Sequence, residues 1–263
     1  MLPSPSDTVP SPPELPELGS VDNLRDVAGS GEGYPTRDGG RVRRGVFYRA
    51  NLLRPDDDDL ALLTGLGLRV VHDLRRADEV AAHPDRELPG AEWRHVDVLG
   101  VAADDALGFT TPEESRRMME AVYRDFVHRP SVRDALARVL RDLASDPLPQ
   151  LFHCTAGKDR TGWVAVLLLH LAGVEEPTIR ADYLLSNERT AASRARYERM
   201  IVEGLGEQML PVLEPVLVVT DDYLDLALGE VAATYSDLDG YLRDGLGLPD
   251  DVLDALRERL VAA

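Results

Sequence analysis

Leu151-Phe152-His153-Cys154-Thr155-Ala156-Gly157-Lys158-Asp159-Arg160-Thr161-Gly162 carries an apolar extended run through a polar loop and into an apolar helix that opens at Trp163. A strand, a loop and a helix in that order turn several backbone N–H groups toward one point beside the positive end of the helix, which makes an anion cradle. Outside this stretch, Leu68 to Leu74, Trp93 to Leu99 and Leu148 to His153 read as strands with helical segments between them. That alternation predicts an α/β fold with a central, mostly parallel sheet flanked by helices.

The loop holds the chain's only cysteine and, among 29 basic residues, its only lysine. A sulfur at the mouth of the cradle meets a field that favours its ionised form, the form that attacks phosphorus. Arg160 follows Cys154 with five residues between, so its planar fork can close the loop and grip two phosphoryl oxygens. The Thr161 hydroxyl can hydrogen-bond the sulfur at rest and again when it leaves. Asp159 is placed to protonate a departing oxygen, and Lys158 offers a compact, mobile charge for a phosphate oxygen or a second phosphate.

Working outward, residues 1 to 18 are rich in proline, with Ser and Glu, and read as a mobile tail; the phosphate-handling domain would then span 19 to 263. The start has no basic and apolar leader pattern, so a cytoplasmic location, or export without a classical signal, is expected. Asp38-Gly39 suggests a hairpin turn with Val46 to Tyr48 as its return strand. Asp56 to Asp59 after Pro55 read as the acidic first turn of a helix that ends near Gly65 to Gly67; a calcium loop is the poorer reading. Thr111, Pro112 and Glu114 open another helix with Met118, Val122 and Phe126 on its buried face. Ser131 starts the next, with Leu136, Val139, Leu140 and Leu143 facing inward. The last third is helical, with one stripe through Leu224, Leu228, Val231 and Tyr235 and another through Val252, Leu256 and Leu260.

The 263 residues are 44% hydrophobic, enough for a sizeable core, and the longest apolar stretch, Val164 to Val174, is too short to span a bilayer. A net charge of -18 opposes general nucleic-acid binding and anionic membrane surfaces. One cysteine excludes an internal disulfide and a cysteine-based zinc cluster. The six histidines show no paired helical spacing, so no metal and no cofactor is expected. His153 reads as a residue that orients the loop, and Arg49, Arg75 and Arg76 as surface or ion-pair residues.

The segment from His153 to Thr161 resembles the phosphate loop of cysteine-dependent protein tyrosine phosphatases. Together with Asn23-Leu24-Arg25-Asp26-Val27, Val71-His72-Asp73-Leu74-Arg75 and Gly240-Tyr241-Leu242-Arg243, it resembles the bacterial PtpB-type tyrosine phosphatases in order over roughly residues 20 to 262. The resemblance implies a metal-independent phosphatase acting on phosphotyrosine proteins, with phosphoserine, phosphothreonine or phosphoinositides as further substrates in some relatives. It implies Cys154 as nucleophile, Arg160 as phosphate clamp, Asp159 as general acid and backbone amides from Thr155 through Ala156, Gly157 and Lys158 to Arg160 as phosphate ligands. No Trp-Pro-Asp tripeptide is present to supply the acid from elsewhere. Asp73, at a strand end, stands as a partner or substitute acid. The resemblance also implies a helical lid around Leu210 to Tyr235, a segment whose periodicity by itself reads as a packing helix. The competing reading is a phospho-ligand binding module that has lost catalysis.

Overall fold

The computed structural model describes residues 14–16, 18–98 and 108–261. Five short strands form one sheet: β1 (Arg25–Asp26), β2 (Phe47–Ala50), β3 (Val70–Asp73), β4 (Glu92–His95) and β5 (Gln150–His153). Their order is β1-β2-β5-β3-β4, with β1 antiparallel to β2 and every other pairing parallel. β5 is therefore central, and the register sets His153 between Ala50 of β2 and Asp73 of β3. In such sheets the crevice beyond the carboxyl ends of the strands is where ligands bind.

The strand residues alternate between two cores, as a period of two requires. Phe47 and Phe152 face the larger core, whereas Tyr48, Ala50, Val71 and Leu151 face a smaller one under α1 (Asp57–Gly65). α2 (Ala77–Ala82) follows β3, and α3 (Pro112–His128), α4 (Pro130–Ser145) and α5 (Arg160–Leu171) build the larger side. α5 runs through its centre, buried at every residue except His170. α6 (Glu176–Arg189), α7 (Ala191–Leu205), α8 (Leu210–Leu217), α9 (Asp221–Tyr235), the single turn α10 (Leu238–Gly240) and α11 (Asp250–Leu260) complete the chain. α8 and α9 both pack on α3, and α11 packs on α4 and α5. Among the described residues no helix is long and apolar enough to cross a membrane.

The three expected parallel strands occur, each shorter than its apolar run; Leu99 lies outside the described residues. The Thr36–Gly40 turn closes on a Pro35–Arg41 bridge, but β2 pairs with β1 and not with that turn, because the side chain of Asp26 accepts from the Gly45 amide and ties β1 to the segment entering β2. Asp56 caps α1 by accepting from the Asp59 amide, and Asp59 is consumed by the Ser20 amide and hydroxyl. Residues 14–16 and 18 depart from the expected tail: Leu15 and Leu18 pack on the smaller core, and Glu14 accepts from the Gly31 amide at 2.6 Å. The expected tail residues 1–13 and 17 lie outside the described residues. On α3 the buried face is rotated from the expected stripe, with Met119, Tyr123, Phe126 and Val127 innermost and Met118 and Val122 at its rim. α9 buries Tyr223, Leu224, Ala227 and Val231, so its apolar stripe is part of the core.

Leu136, Val139, Leu140 and Leu143 of α4 are all fully buried, as their spacing requires. Leu140→Ala is expected to cost about 2–5 kcal/mol. Urea unfolding checks this: the midpoint falls while the denaturant slope stays unchanged.

Candidate active site

Cys154 leaves the end of β5 nearly buried, with 2% of its surface accessible. The next residues curl over the end of β2. Gly157 has φ +69°, and a Cβ there would stand 2.4 Å from the carbonyl oxygen of Ala50, so only glycine fits. Its carbonyl is turned away from the cradle, accepting from Arg49 Nη2 at 2.9 Å and Asn23 Nδ2 at 2.8 Å. The Thr155 carbonyl accepts from the Leu52 amide at 3.1 Å. With these carbonyls engaged outside, no amide from Thr155 to Arg160 donates to a protein acceptor among the described residues. The start of α5 adds its positive end to the same point.

Arg160 lies almost wholly inside, fixed by Glu79 of α2 through Nη1–Oε2 at 2.6 Å and Nη2–Oε1 at 2.9 Å. Burial would discharge the guanidinium, but the Cys154 sulfur and Glu79 hold its pKa above the ordinary arginine value. Burial would likewise raise Glu79; the bonds and charge of Arg160, the Thr155 hydroxyl and the Arg76 amide bring it down to about 2. The Thr161 hydroxyl is buried and has no hydrogen-bond partner among the described residues.

Asp159 stands at the head of α5 with both oxygens engaged. Lys158 Nζ reaches Oδ2 at 2.6 Å, and the Tyr123 hydroxyl of α3 donates to Oδ1 at 3.0 Å. Asp73 occupies a different place from Asp159. It is fully buried and gripped by Arg75, whose Nε lies 2.8 Å from Oδ1 and whose Nη2 lies 2.6 Å from Oδ2. Although burial raises its pKa, Arg75 and His153 bring it down to about 2. With both oxygens taken by a guanidinium, Asp73 fits the part of a partner residue better than that of a substitute acid. Asp85 and His153 converge on the same spot; the cation between the carboxylates is the Arg75 guanidinium, 3.0 Å from Asp85. His153 Nε2 lies 3.0 Å from Asp85 Oδ2 without the alignment of a hydrogen bond.

Behind the loop sits a second ionic cluster. Asp182 of α6 meets Arg49 Nη1 at 2.9 Å and Arg25 Nε at 3.1 Å. Burial and the nearby Arg25 push Arg49 down to about 10, and Asp182 and Cys154 oppose them, so it remains a cation at neutral pH. Arg49 and Arg75 are thus interior ion pairs. Glu79, Tyr123 and Asp182 escape the sequence reading, and Asn23 and Arg25 enter it only within the family resemblance, without a role. Glu79 shows only as a capping residue three positions after Arg76, and Tyr123 only as a neighbour of an apolar stripe.

The sequence pattern of the tyrosine phosphatase family matches residues 16–262. A Cupriavidus necator protein that carries the tyrosine-protein phosphatase name is 38% identical over 235 residues, covering 86% of this chain and 82% of that one. The triple specificity protein phosphatase PtpB of Mycobacterium tuberculosis is 32% identical over 277 residues, covering 92% of this chain and 97% of its own. The crystal structure of P. aeruginosa TpbA aligns over 78% of this chain and 88% of that one at 17% identity and a TM-score of 0.32, too loose a superposition to argue from.

The Arg160–Glu79 pair ties stability to pH. A folded pKa of about 2 against an ordinary 4.5 means that Glu79 contributes stability in full above about pH 4.5, lost as pH falls toward 2. Glu79→Gln is expected to flatten part of that acid loss in urea unfolding, leaving the share due to Asp73. It is also expected to weaken inhibition by inorganic phosphate about tenfold, because a guanidinium freed from its fork is no longer aimed.

Proposed function

The chain belongs to the tyrosine phosphatase family, and on that premise we propose that it hydrolyses phosphotyrosine in proteins through a phosphocysteine on Cys154. The observation that carries this reading is the loop itself: within the seven residues that begin at Cys154, six amides have no protein acceptor among the described residues and one fixed guanidinium interacts with the sulfur. In the first step Sγ attacks phosphorus in line. The S–P bond forms, the ester P–O bond breaks, and Asp159 gives a proton to the departing phenolic oxygen. In the second step water attacks phosphorus, the S–P bond breaks, and Asp159 takes the proton from the water. Inorganic phosphate leaves and the sulfur returns to its starting state.

Arg160 and the amides of Thr155, Ala156, Gly157, Lys158 and Asp159 hold the phosphoryl oxygens throughout, since charge and alignment are most of what phosphoryl transfer asks of a protein. Thr161 supports the sulfur as it leaves in the second step. Lys158 exchanges its bond to Asp159 for one to a phosphoryl oxygen when substrate enters. Asp73 anchors Arg75 beneath the loop. A full set of nucleophile, clamp and proton donor favours catalysis over passive binding. The similarity to PtpB, whose name gives triple specificity, together with a loop lysine suited to a further phosphate, supports a range that extends to phosphoserine, phosphothreonine and phosphoinositides. A panel of p-nitrophenyl phosphate, phosphopeptides and phosphoinositides measures that range.

Cys154→Ser is expected to abolish turnover while retaining phosphopeptide binding, measured by steady-state release of phosphate and by titration calorimetry; full activity in this variant defeats the mechanism. Asp159→Asn is expected to slow alkyl phosphates by about 10² while slowing p-nitrophenyl phosphate far less, since a good leaving group needs little protonation. Equal slowing of both moves the acid role to another residue.

A further inference from the structure

Asp159 is held by a chain of hydroxyls that reaches it from the core. Tyr123 Oη lies 3.0 Å from Asp159 Oδ1 and 2.6 Å from Tyr183 Oη. A tyrosine hydroxyl has one proton, and Oδ1 of Asp159 accepts it whether or not Oδ2 carries a proton of its own. Tyr123 therefore spends its proton on Asp159, and the proton between the two tyrosines must come from Tyr183. The chain runs in one direction: Tyr183 to Tyr123 to Asp159 Oδ1. Donation from Tyr183 makes the Tyr123 hydroxyl a better donor, as in any hydrogen-bonded series inside a protein.

Neither ring has freedom to leave this arrangement. Tyr123 is wholly buried and Tyr183 is 1% accessible. Tyr123 stacks on Tyr223 with ring centres 5.4 Å apart and meets Phe126 edge-on at 5.2 Å. Tyr183 meets the first turn of α5 at Gly162, where an added Cβ would come within 3.3 Å of the ring. The other oxygen of Asp159 has a partner of the opposite kind: Lys158 Nζ is at the end of a flexible side chain, and its ammonium also has a phosphate to serve.

We propose that Tyr123 is a positioning residue that pins Oδ1 of Asp159, with Tyr183 polarising it from behind, so that Oδ2 alone carries the proton exchanged with the substrate. The proposal rests on Asp159 being the general acid. At rest Lys158 covers Oδ2. When Lys158 turns to the phosphate, Oδ2 becomes the free oxygen, already aimed by the fixed one. Once released, Oδ2 takes up a proton from solvent; in the first half-reaction that proton passes from Oδ2 to the leaving oxygen, and in the second a proton from water returns to Oδ2. The two tyrosine protons stay where they are, because burial and the charge of Asp159 hold both hydroxyl pKa values well above the ordinary tyrosine value.

Removing a donor to the carboxylate favours its protonated form, so the alkaline limb of the rate profile should move to higher pH. The other groups around the pair stay unchanged in the variants: Lys158 and Arg160 on the loop, Arg49 of β2 beside Tyr183, and Tyr223 of α9 with Arg116, Glu120 and Asp222 around it. Cys154 completes the surroundings on the phosphate side.

The test compares Tyr123→Phe, Tyr183→Phe and Asp159→Asn on an alkyl phosphate and on p-nitrophenyl phosphate across pH. Tyr123→Phe is expected to lower kcat on the alkyl ester about tenfold, to change the nitrophenyl ester by less than about twofold, to leave KM nearly unchanged and to shift the alkaline limb upward. Tyr183→Phe is expected to act in the same direction with a smaller shift, and it carries the test if the first variant does not fold. Equal slowing of both esters with an unmoved limb in the tyrosine variants, beside a leaving-group effect in Asp159→Asn, overturns the pair while sparing the acid. No leaving-group effect in Asp159→Asn overturns the acid itself, and the pair with it.

Discussion

An anion cradle made of peptide groups fails if one carbonyl turns inward, and the loop after β5 has its greatest risk at Gly157. There the backbone is left-handed and the carbonyl must find a donor elsewhere. Arg49 and Asn23 supply two, both from the segment before α1, more than a hundred residues earlier in the chain. The catalytic loop is thus shaped from behind by β2 and by the segment that leads into β1. A polar group left unsatisfied at that depth costs about 1–3 kcal/mol, enough to compete with the loop's own preferred conformation.

That solution brings a charge into the interior, and the fold must then neutralise it. Arg49 and Arg25 share Asp182, which α6 carries in from the far side of α5, and Ser186 one turn later bonds both guanidinium groups. Replacing a buried ion pair with apolar groups can be neutral, whereas removing one partner strands the other and typically costs 3–5 kcal/mol. The Asp73–Arg75 pair stands in the same relation to the other side of the loop, beneath His153 and next to the helix that delivers Glu79.

The central loop was legible because its chemistry is local. A strand, a nucleophile, a five-residue spacing and an apolar helix lie within one window of sequence; periodicity identified the inward face of α4 and, with Leu253 rather than Val252 innermost, that of α11. The early hairpin was misread because strand pairing is settled by long-range contacts: the Asp26 carboxylate bonding the Gly45 amide outweighs what Asp38-Gly39 can say locally. Asp73 was ambiguous for a related reason. Its position at the end of β3 points toward the site, but the guanidinium two residues later folds back onto it. Tyr123 was hidden by its surroundings, since a tyrosine among Met119, Phe126 and Val127 is indistinguishable in sequence from any aromatic filler. Glu79 was hidden because a carboxylate in a first helical turn already has a capping explanation, and here it serves both purposes.

Glu79 and Asp159 face the same loop, and the difference between their partners separates their roles. Glu79 is bound through both oxygens by a guanidinium whose charge cannot be withdrawn, so protonating it would strand Arg160 in a buried site. Asp159 is bound by a neutral hydroxyl and by an ammonium on an unbranched four-carbon stem. Protonating it strands nothing: the lysine turns to the phosphate and the hydroxyl remains bonded to the other oxygen. On the proposed mechanism the two carboxylates divide the work, one fixed as an anion that aims the clamp and the other gaining and losing a proton. The division follows from the chemistry of the cation opposite each carboxylate, and exchanging Arg160 and Lys158 would remove both functions together.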